Sequence, residues 1–157
     1  FLIQKEIDAA SIRSVTIAQM QETRLRRLAS VVDEWKKLTK SGAAPILAVT
    51  IVHNDYVTKN PDAVAKFIAA TRKGLQFGSK NKAKVAEILQ KTANMKPEDA
   101  KAYAEQWDGA YMASFEPADI ASLKRMHEIL LASCTAKKAA PDSAFLADPY
   151  NRSRKIK

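Results

Sequence analysis

From Pro45 to Val52 the chain reads PILAVTIV, an unbroken apolar run rich in β-branched residues. Such a run predicts a strand buried on both faces, as in a parallel sheet. The pattern before it is mixed. Phe1 to Ile7 predicts the end of a helix, followed by the turn DAAS, and SVTIA (Ser14 to Ala18) a short β-rich run. Gln19 to Leu28 predicts a helix with Met20 and the Leu25/Leu28 pair on one face. SVVDEW returns to strand character, and Lys36 to Gly42 predicts a short helix or turn closing at the glycine. Strand, helix, strand in that order is the grammar of an α/β protein.

Beyond Val52 the pattern turns helical. Three segments open with NPD, KPED and EPAD. Proline in the first helical position sacrifices no hydrogen bond, because that N–H would be unpaired in any case. The acids behind it (Asp62, Glu98, Asp99, Asp119) favour the positive end of the helix dipole. In the first of these helices Val64, Phe67, Ile68, Thr71 and Leu75 fall on one stripe, with Lys66, Arg72 and Lys73 on other faces. A helix over about Asn81 to Ala93 predicts burial of Val85, Ile88 and Leu89. A shorter one from Pro97 to about Trp107 carries Tyr103. The helix from Pro117 to about Ser133 sets Ile120, Leu123, His127, Leu130 and Cys134 together, so His127 and Cys134 are expected in the core. After Lys138 the chain is turn-rich, with one apolar patch at Phe145 and Leu146.

Composition narrows the function. At 157 residues with 46% apolar side chains, one folded domain is expected, and no apolar run approaches the ~18 residues of a membrane span. One cysteine, Cys134, permits no internal disulfide, and two histidines predict no metal site; no cofactor is expected. The net charge of +9 admits an anionic partner, but the cations are spread along helices, concentrated only at Arg24, Arg26 and Arg27 and in NRSRKIK. They read as a solvated surface, and nucleic acid is not expected as a partner, since the few aromatics are not interleaved with them. No nucleophile motif, phosphate loop or zinc motif occurs, and the adjacent Asp33 and Glu34 would point to opposite faces of a strand. An enzyme is not expected.

The order of segments resembles a known family. FLIQKEIDAASIRSVTIA, then LASVVDEW (Leu28 to Trp35), then TIVHNDYVTKNPDAVAKFIAATRKGLQF are similar to successive elements of ABC-transporter solute-binding proteins of the nitrate/sulfonate/taurine type. Their relatives bind thiamine pyrimidine precursors. KNKAKVAEILQKTANMKPEDAKAY and DSAFLADPY continue the likeness, although Ser30 stands where the family often has glycine.

The resemblance implies a type II periplasmic-binding-protein-like lobe with a helix-rich C-terminal part. Family members run to roughly twice this length, so the chain corresponds to their C-terminal half. It is divided into 1–52 (α/β segment with a crossover strand), 53–138 (helical) and 139–157 (basic, turn-rich tail). The implied function is capture of a small, anionic or heteroaromatic solute by hinge closure, outside the cytoplasm, for delivery to an ABC membrane permease. Residues at strand ends and helix starts would face the solute: Gln19, Met20, Asp33, Glu34 and Trp35. The competing readings are a basic helical module binding nucleic acid or a protein partner, and a pyrimidine-synthesis enzyme of the same superfamily.

Overall fold

The structure, a computed structural model, describes residues 1–13, 16, 17, 20, 25–40, 42–46 and 48–156. Among them there are helices and no strand. In chain order the helices are α1 (Val31–Thr39), α2 (Asn54–Lys59), α3 (Pro61–Lys80), α4 (Lys82–Ala93), α5 (Pro97–Glu105), α6 (Trp107–Ala110), α7 (Pro117–Ala132), a 3-10 turn (Asp142–Ala144) and α8 (Ala147–Ser153). The α/β lobe expected from the sequence is therefore not formed.

Two physical reasons account for that correction. SVVDEW becomes the start of α1 because Ser30 is an N-cap, its hydroxyl accepting from the Asp33 N–H at 3.4 Å. Asp33 and Glu34 then occupy the first turn and Lys36 and Lys37 the last, both favourable to the helix dipole. Those local gains outweigh the modest β preference of two valines. The described residues of PILAVTIV form no strand, for a strand exists only in a ladder and their backbone groups make no ladder hydrogen bond among the described residues.

The SVTIA expectation falls partly outside the described residues; Thr16 and Ile17 are helical, with the Ile17 N–H donating to Arg13 O. Of the predicted helix Gln19–Leu28, residues 25–28 are not helical. Phe1 to Glu6 is a turn closed by Lys5 and Glu6 amides on Leu2 and Phe1 carbonyls.

The proline-started helices form as predicted. Asn60, pushed out of helical geometry by Pro61, ends α2, a short helix absent from the sequence reading. Before α7 the Glu116 N–H donates to Asp119 Oδ2 at 2.9 Å, half of a reciprocal cap. Asn94 takes a left-handed conformation to close α4.

The chain divides into two units by its packing: Phe1–Arg26 with Lys73–Met112, and Arg27–Arg72 with Ala113–Lys157. The buried apolar side chains among the described residues are Val57, Ala65, Ala69, Val85, Ala86, Ala100 and Ala104. Five of these seven are alanines, so helices meet here through small residues.

In the first unit α4 and α5 pack through Val85, Ala86, Ala100 and Ala104, with Leu89, Met95 and Trp107 against them. The Trp107 indole reaches back to α3, where its Nε1–H donates to Leu75 O at 3.0 Å. It lies on Gly78 so closely that a Cβ there would overlap the ring. Ile88, expected inside, is exposed.

In the second unit the buried surface is partly polar. Ser153 of α8 is completely buried and Ser122 of α7 nearly so. The Ser122 hydroxyl donates to Ala44 O at 3.1 Å, tying α7 to the segment before the apolar run. Arg72, expected on an outer face, points inward: Nη2 donates to Ser153 Oγ at 2.7 Å, and the guanidinium stands 5.6 Å above the Tyr150 ring. The Tyr150 hydroxyl continues the chain to Glu116 Oε1 at 2.9 Å. Phe67, expected on the buried stripe, is exposed. So is Cys134, which closes the end of α7 with a left-handed backbone (φ 57°) instead of entering the core. His127 is half-buried beside Phe145.

Candidate functional site

The residues predicted to face a solute fall on two segments. Gln19 lies outside the described residues. Met20 is a half-buried turn residue in the first unit, its N–H donating to Ile17 O at 3.1 Å. Asp33, Glu34 and Trp35 belong to the second unit and stand together in α1. The expected strand would have put Asp33 and Glu34 on opposite faces. The helix instead turns each successive side chain by about 100°.

Those three side chains therefore have three different environments. Asp33 is exposed in the first turn, where its backbone N–H is taken by the Ser30 cap. Glu34 is exposed and binds Lys37 at 2.7 Å, one turn further on, and this contact raises the Lys37 pKa. Trp35 turns inward. Its ring is half-buried, and its indole N–H is shut off from solvent with no acceptor among the described residues. A buried donor without an acceptor costs about 1–3 kcal/mol, so this group is unusual.

Elsewhere several charged groups are held in pairs. Lys84 and Lys91 flank Glu87 on α4 at 2.7 Å each, and their hydrogen bonds hold its carboxyl down to about 2. The Lys82 ammonium binds Asp108 at 2.6 Å and lowers its pKa. Lys80, Asn81, Lys82, Ala83, Lys84 and Glu87 rim a shallow depression, open to solvent, where α3 gives way to α4. The tyrosine hydroxyls of Tyr103 and Tyr111 meet beside Trp107. Burial first, and the Tyr103 hydroxyl second, push Tyr111 up to about 12.

Sequence reasoning missed Arg72 and Tyr150 as inward groups and Trp107 as the anchor of α3. The available signal for the last was Gly78, a glycine inside an otherwise helical pattern, which marks a close approach. For Arg72 no local signal existed. Its partner, Ser153, is far along the chain.

A family model described as NMT1/THI5 like matches residues 1–85, more than half of the chain, and the chain belongs to that family. The match supports the solute-binding family identified from the segment order, and all five predicted site residues lie inside it. Neither the curated proteins nor the solved structures gave a match. Among the described residues no helix is long and apolar enough to cross a membrane.

Proposed function

We propose that this chain is part of an extracytoplasmic solute-binding protein of the nitrate/sulfonate/taurine type, which captures a small anionic or heteroaromatic solute for an ABC permease. In this reading it corresponds to the C-terminal half of such a protein and binds its solute without transforming it. Closure around the solute follows because the bound form gains contacts that the open form lacks. Its surface cations stay solvated, and nucleic acid is not a partner. Family membership supports the solute-binding class.

The single observation that carries the site is the Trp35 indole N–H, buried and without an acceptor among the described residues. A donor held ready in this way suits a carboxylate, sulfonate or ring-nitrogen acceptor, and the ring beside it offers a stacking face to a heterocycle. Asp33 and Glu34, on the same helix, belong to the proposal as partners for a ligand amine. Gln19 and Met20 belong to it through the sequence resemblance alone.

The test is Trp35→Phe, which keeps the ring and removes the donor. Titrations with taurine, nitrate and a thiamine pyrimidine precursor should find one that binds. The variant should bind it more weakly by about 1–1.5 kcal/mol, near tenfold. Without ligand its melting temperature should be unchanged or higher, because an unsatisfied donor has been removed. A variant that melts lower and keeps full affinity takes Trp35 out of the site.

A further inference from the structure

Helix α3 buries one face and leaves another bare. Ala65 and Ala69 are buried, whereas Phe67 is 57% and Phe77 50% exposed. Ala63, Ala70 and Gly74 are exposed as well. These five positions, Ala63 to Phe77, follow one another in steps of four, three, four and three residues. That is the heptad spacing of a seam that another helix covers. The seam belongs to one unbroken helix, so its alignment follows from helix geometry alone.

The shape of the seam suits a helix better than a flat surface. Its two rings stand about 15 Å apart along the axis, with Ala70 and Gly74 leaving a hollow between them. Nothing lies within 4 Å of where a Gly74 side chain would begin. A bulky side chain of a facing helix fills such a hollow as a knob fills a hole. A lipid surface binds in proportion to the apolar area it covers, and two rings supply little of it.

Charge sets the sign of the partner. Lys66, Lys73 and Lys80 recur every seven residues along one edge of the seam, all exposed. The one acid of the helix, Asp62, lies in the first turn and faces Arg152 at 3.5 Å. A second copy of α3 therefore brings no acid to that edge. Laid antiparallel, it would set the two lysine rows against each other.

We propose that the exposed face of α3 docks an amphipathic helix of another protein, one with a bulky apolar seam and an acidic edge. Its large apolar side chains seat between Phe67 and Phe77, and its carboxylates run beside Lys66, Lys73 and Lys80. The lysines stay at the solvated rim of the contact, where they select the partner more than they add affinity. This surface is separate from solute capture and does not depend on Trp35.

The probe is a synthetic helical peptide of about three heptads, with leucine along its seam and glutamate on both flanks. A control peptide carries lysine in place of each glutamate. Fluorescence anisotropy against the intact chain should show the glutamate peptide binding, more weakly as salt rises. The lysine peptide should bind at least about tenfold more weakly. Gly74→Gln fills the hollow and Lys66→Glu reverses one rim charge. The first should weaken the glutamate peptide about tenfold, the second by a smaller factor with a flatter salt dependence. Both positions are exposed, so circular dichroism should match the parent and melting should not fall. Equal binding of the two peptides, or binding that ignores both substitutions, overturns the proposal. So does a chain that binds neither peptide, one that dimerises through Phe67, or one that takes up phosphatidylglycerol vesicles through the same face.

Discussion

The two units are held by different chemistry. In the first, an indole lies across a glycine and four small apolar residues interlock between α4 and α5. In the second, the most deeply buried side chain is a serine, and an arginine, a tyrosine and a glutamate complete its network. Apolar packing is insensitive to pH and fails through cavities or overlap. A polar network fails when one member loses its partner, because the remaining groups are left desolvated. The two units should thus respond to different substitutions, and that contrast can be tested.

The largest effect is expected at Trp107. Replacing it by Ala removes the ring that joins α3 to the α4–α5 pair and should destabilise the first unit by about 3–5 kcal/mol in a denaturant melt. Gly78→Ala comes next. Overlap with the indole costs about 1–3 kcal/mol, offset by roughly 1 kcal/mol of helix preference for alanine. A net gain in stability would show that the indole does not rest on α3. Ser153→Ala should cost the second unit about 1 kcal/mol, since Arg72 keeps the Ser153 carbonyl at 3.4 Å and the Tyr150 face. If that loss equalled the loss at Trp107, the contrast between the units would collapse.

The smallest effect is on pH dependence. Folding raises the Tyr111 pKa from 10.0 to about 12, so the folded chain holds this proton more tightly than the unfolded chain. The associated stabilisation is complete below about pH 10 and disappears as pH rises toward 12. Phenolate absorbance should show Tyr111 titrating late. Tyr103→Phe should lower its midpoint only in part, because burial is the larger cause.

How much was legible depended on range. Pro61, Pro97 and Pro117 marked three helix starts correctly, whereas of the stripe predicted on α3 Val64, Ile68 and Leu75 are half-buried and Phe67 and Thr71 exposed. Ser30 with Asp33 was also a readable start signal, overlooked because Val31 and Val32 are β-branched. At the candidate site the identity of Trp35 was legible. Its inward turn, separate from exposed Asp33 and Glu34, followed only from the helix that replaced the expected strand. Met20 and Trp35, grouped by the sequence resemblance, lie in different units.

The sequence by itself determined the helices of the chain's second half, because a helix closes its hydrogen bonds within four residues and its start and stop signals lie inside the same window. It also determined that residues 45–52 form an apolar run. Tertiary structure alone decided that Arg72 turns in to Ser153, and that among the described residues no strand pairs with that run and the Trp35 N–H is enclosed without an acceptor. Each of those outcomes depends on what the folded chain brings alongside from far away, and no local pattern encodes the position of a distant partner.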